Sequence, residues 1–195
     1  MIDEVVDAIR AGSPAILPTD TVYGLCADAS REAPVRELYR LKGRDEEQPT
    51  ALLAADVDVL LDAVPELQGR NVARELLPGP YTLIVPNPAR RFPWLTGDRP
   101  TTIGVRVAVL PDEAAAVLRR VGAVAATSAN RPGEPDPRTV TEIPQELIAG
   151  AGAVLDAGEL PGTPSTVLDL TGPDPVVVRE GAVPAQEALR RLAML

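Results

Sequence analysis

Pro18-Thr19-Asp20-Thr21-Val22-Tyr23-Gly24-Leu25 is the stretch on which the reading of this chain turns. It follows a short apolar run, Ala15-Ile16-Leu17, entered from Gly12-Ser13-Pro14, which reads as a buried strand after a turn. Pro18 is expected to end that strand, because a proline cannot donate to a sheet ladder. Three hydroxyls (Thr19, Thr21, Tyr23), the Asp20 carboxylate and Gly24 then fall within six residues. Two readings are open. One is a strand, an Asp/Thr turn and a helix N-cap. The other is a ligand loop whose hydroxyls and backbone amides face a small polar molecule, with Gly24 allowing close approach.

The 195 residues suit one domain, residues 1–195, since no composition shift or long linker divides them. Hydrophobic residues make up 45% of the chain but aromatics only 3%, so the core must be built from Ala, Val, Leu and Ile. Apolar windows are short and interrupted, which argues against a membrane span, and Asp3 and Glu4 do not begin a secretory signal. A cytoplasmic location is therefore expected. Cys26 is the only cysteine and reads as a small buried thiol. The chain has no histidine, which excludes Ser-His-Asp and Cys-His catalysis and His-ligated zinc. Chemistry is left to carboxylates, hydroxyls, Lys/Arg, backbone amides, or a hard cation held by oxygens and substrate phosphates. A net charge of −9 argues against a broad polyanion-binding surface.

In chain order, residues 3–11 form a helix with Val5, Val6 and Ile9 on one face, stopped by Gly12, and residues 32–41 a second helix. The second runs into Lys42-Gly43-Arg44, where the cations either cap the helix or converge on a phosphate. Strands are expected at 50–54, 81–85, 103–109, 123–127, 165–170 and 176–181, with a strand end at 154–156. Helices are expected at 56–63, 71–77, 111–121, 145–149 and 185–194, the last with Ala188, Leu189 and Leu192 inward. In the third of those strands Ile103, Val105, Val107 and Val109 alternate with Gly104, Arg106 and Ala108, so Arg106 stands on an almost bare face. Without strict βαβ alternation, the pattern predicts α/β layers on a mixed, twisted sheet.

The ordered series PTDTVYGL, KGR followed by Pro49, PGPYTLIVP, TTIGVRV, SAN-x-x-G, STVLDL and VVVREG, from about Ala15 to Gly181, resembles the YrdC-like family of threonylcarbamoyl-AMP synthases. The resemblance implies a single-domain twisted sheet with flanking helices and a concave, positively lined ligand face, without a further C-terminal domain. It implies a nucleotidyltransferase that converts L-threonine, bicarbonate and ATP into L-threonylcarbamoyladenylate and pyrophosphate. A separate transferase complex would then use the product to modify tRNA, with no stable nucleic-acid or membrane binding by this chain.

Carried over position by position, Lys42, Arg44, Thr102, Ser128, Asn130, Asp136 and Arg179 would surround ATP, with Lys42, Arg44, Ser128 and Asn130 the catalytic group. Mg²⁺ would ride on the phosphates, with Ser128 and Asn130 its nearest protein oxygens. Thr19, Arg106 and Ser165 would hold threonine and Tyr23 would line the pocket. The chain departs from the family pattern at Asp20 (usually Glu), at Pro132 (usually Ser), at Asp136 (usually Ser) and at Leu53 (usually a histidine beside threonine). Two other functions remain open: a carbamoyltransferase-type domain handling carbamoyl-adenylate, and a non-enzymatic RNA-binding module.

Overall fold

A computed structural model describes residues 1–68 and 71–194. The chain begins with helix α1 (Ile2–Ala11), which buries Val5, Val6 and Ile9 and ends at Gly12 in the left-handed conformation. Strand β1 (Ala15–Pro18) turns through residues 19–22 into β2 (Tyr23–Asp28), pairing antiparallel from Ala15 opposite Cys26 to Pro18 opposite Tyr23. Helix α2 (Glu32–Lys42) follows, then β3 (Ala51–Ala54), α3 (Val57–Ala63), α4 (Asn71–Leu76), β4 (Tyr81–Pro86) and β5 (Thr102–Arg106). The chain continues through α5 (Asp112–Val121), β6 (Ala123–Ser128), α6 (Gln145–Gly150), β7 (Ala153–Val154), β8 (Thr166–Asp169), β9 (Val176–Arg179) and α7 (Ala185–Leu192).

Among the described residues one sheet of nine strands forms, in the order β7-β1-β2-β6-β3-β5-β4-β8-β9. The pairs β1/β7, β3/β5 and β4/β8 are parallel and the others antiparallel, so the sheet is mixed, as the pattern of elements predicts. One face is closed throughout by the larger core, to which β2 contributes Tyr23, Leu25 and Ala27 and β5 contributes Ile103 and Val105. The opposite face is covered only in part, where α1 and α5 pack Val5, Val6, Ile9, Val117 and Leu118 on Leu17, Cys26, Leu53 and Val124. Among the described residues no helix is long and apolar enough to cross a membrane.

Three sequence expectations change. Tyr23-Gly24-Leu25, read as part of a loop, opens the central strand 23–28, because Tyr23, Leu25 and Ala27 are buried on one face and Gly24 and Cys26 on the other. A strand buried on both faces shows no polar alternation to reveal it. Pro18 ends β1 as expected, and is itself the last paired residue, opposite Tyr23. The third strand stops at Arg106, although Val107 and Ala108 stay buried in the two cores, and Val109 is left 61% exposed with its amide donating to the Asp20 carboxylate (3.2 Å). Leu189 of α7 is exposed at the edge of the sheet instead of packing inward.

Candidate functional site

The uncovered part of the second sheet face is a cavity of about 520 Å³. Its floor is built from the smallest side chains of four neighbouring strands: Gly24 on β2, Ala126 on β6, Ala51 on β3 and Gly104 on β5. On three of those same strands, the next residue along the same face is Cys26, Val124 or Leu53, and there α1 and α5 cover the sheet. The concavity is thus made by side-chain size: where the strands carry Gly and Ala on this face it stays open, and where they carry larger apolar residues a helix packs on it. A Cβ added to Gly104 would meet nothing closer than 3.7 Å, so this glycine is there to leave room rather than to permit a strained backbone.

Arg106 rises from that floor. Its side chain is 12% exposed, it pairs with the Asp20 carboxylate, and it donates to Thr21 Oγ1 (2.7 Å). Its Nε is buried with no partner. A buried guanidinium with a free donor is an anion seat awaiting an acceptor. The tight turn beneath it is held by Thr19, whose hydroxyl donates to Val22 O (2.8 Å) and accepts from the amides of Thr21 and Val22 (3.3 Å each). Thr19 therefore shapes the wall, its hydroxyl already engaged in the turn. The shorter acid at Asp20 reaches both Arg106 and the Val109 amide.

At the next wall, Arg179 donates from Nη2 to Ser165 O (2.8 Å) and Ser165 Oγ (3.2 Å), and Ser165 Oγ lies 2.8 Å from Thr82 Oγ1. Burial lowers the Arg179 pKa and the like charge of Arg106 adds to that, while Asp136 opposes both. Arg44 donates to Pro49 O (2.6 Å), and its Nε and the nearby Thr50 hydroxyl are buried without partners. Thr102, Ser128 and Asp136 also line the cavity.

Gly43 caps α2 in the left-handed conformation and sends its two cationic neighbours apart. Arg44 enters the cavity wall. Lys42 is buried beneath the loop after β6, its Nζ donating to Ser128 O (2.5 Å), Asn130 Oδ1 (2.8 Å) and Asn130 O (2.9 Å). Asn130 Oδ1 also accepts from Ser128 Oγ (2.7 Å), and its Nδ2 donates to Glu134 O (2.6 Å). Burial, followed by the charge of Arg44, pulls the Lys42 pKa down to about 8.

Three expectations about placement are corrected here. Lys42 and Asn130 do not line the cavity, because each is drawn into the network that ties the Ser128–Glu134 loop to the end of α2. Tyr23 points to the opposite face, where its hydroxyl donates to Gly158 O (2.8 Å) and Asp156 (3.0 Å), because strand parity puts it on the side opposite Gly24. The lining is not uniformly positive either: Arg44, Arg99, Arg106 and Arg179 stand against Glu47, Asp98 and Asp136. Leu53 shares the face of Arg106 but is 1% exposed, under α1 and α5.

Thr21, one of the hydroxyls of the expected ligand loop, lines the cavity, as do Thr50, Thr82 and Arg99, which no sequence motif marks as ligand residues. Thr82 was within reach, since it alternates with the core residues Tyr81 and Leu83; Arg99 lies in an irregular segment that carries no pattern.

Among the described residues no group of three or more His, Cys, Asp or Glu could hold a metal ion. Near the loop the cavity is lined by Ser128 and Asp136, whose oxygens are hard donors of the kind that suits Mg²⁺ arriving on phosphates. Asn130 Oδ1 does not fit that role, since it already faces an ammonium and a hydroxyl.

The family model for Sua5, YciO and YrdC, described as "Telomere recombination", matches residues 7–181. A threonylcarbamoyl-AMP synthase of Stenotrophomonas maltophilia is 37% identical over 166 residues, covering 83% of this chain and 88% of the relative. The crystal structure of Pyrococcus abyssi Sua5 complexed with L-threonine superposes with a TM-score of 0.87 at 30% identity, covering 98% of this chain. This chain spans 57% of that longer protein. Escherichia coli YciO superposes with a TM-score of 0.75 at 27% identity, covering 93% of this chain and 89% of the other. The chain belongs to the Sua5–YciO–YrdC family.

Proposed function

We propose that this chain is an L-threonylcarbamoyladenylate synthase, a nucleotidyltransferase that takes L-threonine, bicarbonate and ATP to the mixed anhydride and pyrophosphate. The observation that carries the reading is the single cavity into which Arg44, Arg106 and Arg179 converge from three separate motifs, with buried donors on Arg44 and Arg106 left unpartnered. The threonine bound to the P. abyssi relative supports the same substrate here.

In this reading the threonine amine adds to bicarbonate with loss of water to give a carbamate. A carbamate oxygen then attacks the α-phosphorus of ATP, and the bond to pyrophosphate breaks. No histidine is needed, because the step depends on alignment and on charge stabilisation. Arg106 takes the threonine carboxylate through its free Nε, with Asp20 and Thr21 fixing the guanidinium. Ser165, braced by Arg179 and Thr82, stands beside the same substrate. Arg44, Thr102, Ser128 and Arg179 face the nucleotide. Lys42 and Asn130 act one step back, by setting the loop that presents Ser128. Mg²⁺ arriving on the phosphates would neutralise their charge, with Ser128 nearby.

The product would pass in the cytoplasm to a separate transferase that modifies tRNA. The carbamoyltransferase and RNA-binding readings are not favoured by relatives that carry the synthase name. Purified protein should release pyrophosphate only when ATP, Mg²⁺, bicarbonate and threonine are all present. Release that ignores threonine would overturn the assignment.

A further inference from the structure

Asp136 is a carboxylate in the wall of a cavity that otherwise reads as a seat for anions, and it stands where the family pattern usually has a serine. Its position follows from the fold. Ser128 ends β6 opposite Gly24, and the Tyr23 amide, one residue earlier on β2, donates to Pro137 O (3.1 Å). The loop therefore leaves the end of β2 at Ser128 and returns to it at Pro137, which brings Asp136 back to the wall that Ser128 lines.

Its charge is felt by both Lys42 and Arg179. Neither cation donates to it: Lys42 Nζ is turned to Ser128 and Asn130, and Arg179 to Ser165. A bare polyphosphate entering this wall would meet a carboxylate of its own sign. A divalent cation reverses that interaction, since Mg²⁺ is typically held by one or two carboxylates together with substrate phosphates.

We propose that Asp136 is a direct ligand of the divalent cation carried by the nucleotide, so that with Ser128 Oγ it accepts a metal–phosphate complex and rejects the metal-free nucleotide. The inference rests on the reading of this cavity as a nucleotide site. It makes metal dependence a property of binding as well as of turnover, and one specific to a chain with an acid at this position.

The test is calorimetric titration with α,β-methylene-ATP, in excess Mg²⁺ and in EDTA, of the wild type, Asp136→Ser and Asp136→Asn. The wild type should prefer the Mg²⁺ complex by about tenfold or more, corresponding to about 1.4 kcal/mol. Both variants should lose most of that preference by binding the metal-free nucleotide more tightly and the Mg²⁺ complex more weakly than the wild type. In a second measurement, Mn²⁺ paramagnetic resonance with the same nucleotide should show weaker Mn²⁺ retention in Asp136→Asn. If both variants bind the two nucleotide forms more tightly by one common factor, Asp136 is only a repulsive charge and the proposal fails; unchanged metal preference also overturns it. Absence of binding by either form in all three proteins would instead remove the nucleotide reading itself, and with it this inference.

Discussion

Lys42 is the residue whose role the geometry alters most. Its ammonium sits among three loop oxygens in a buried position that pulls its pKa to about 8, against an ordinary value of 10.5. Between those two values the unfolded chain binds more protons than the folded one, so this group's contribution to stability rises with pH across that window. The slope is at most about 1.4 kcal/mol per pH unit. Raised pKa values of Tyr23, Tyr39, Tyr81 and Cys26 pull the other way at alkaline pH, so the effect is read as a difference. In urea unfolding from pH 7 to 10, the stability of the wild type minus that of Lys42→Met should climb above pH 8; a flat difference would contradict the assignment. At Arg106, replacement by Lys keeps a charge beside Asp20 but loses the planar fork that offers Nε. Arg106→Lys should melt close to the wild type yet raise the threonine KM by about tenfold or more, from the roughly 1.5–3 kcal/mol of a charge-assisted hydrogen bond. An unchanged KM would take threonine away from Arg106. Leu53→His places an imidazole among Leu17, Cys26 and Val124. It should cost about 1–3 kcal/mol of stability without tightening threonine, as melting and threonine titration would reveal; tighter threonine binding would put position 53 in the pocket after all.

At the scale of the element, the site is made by what the strands lack. Gly104 stands between Thr102 and Arg106 on one face of β5, and the atoms nearest to where a Cβ would lie belong to Ala51 and Thr82, both about 3.7 Å away. A valine there satisfies the strand preference for β-branched residues and directs its methyls into the cavity. Gly104→Val should therefore keep or raise the melting temperature while weakening nucleotide or threonine binding by about tenfold or more, equivalent to at least about 1.4 kcal/mol. Destabilisation with intact binding would show that the glycine serves the backbone. The α2–β3 junction follows the same economy: Gly43 ends the helix with φ 69°, and that one turn sends Lys42 beneath the loop and Arg44 into the wall. At this junction Gly43 supplies the helix cap, while Arg44 lines the cavity wall.

Over the whole molecule, charge is acidic at −9, while four of the arginines are gathered in one concavity with three carboxylates among them. Such a distribution suits a small anionic ligand in a defined pocket and not a long polyanion spread over a surface. Fluorescence anisotropy with labelled tRNA should find any binding by this chain alone abolished by about 200 mM salt. Binding that persists there would revive the RNA-binding reading. The architecture also explains how one sheet supplies both stability and a site: one face is closed by the larger core, and the second is shared between a helix-covered part and the open cavity.

The amino-acid order alone determined the mixed α/β class, most element positions, and the ordered motifs that supply Arg44, Thr102, Arg106, Ser128, Ser165 and Arg179. Those are legible because helix and strand periods, caps and short motifs are local, set within a few residues of each other. It also placed Arg106 on a bare face, since alternation along one strand is a local property as well. Which face of the sheet is open was decided only by the tertiary structure. Tyr23 and Gly24 differ by one residue, yet strand parity and the packing of β2 between β1 and β6 send one to the core and leave the other in the cavity floor. The Lys42 network joins residues 86 and 88 positions apart, and Leu53 is buried by helices that begin at Ile2 and Asp112. Burial and pairing at such separations depend on how distant elements pack, and no short-range pattern in the chain records that.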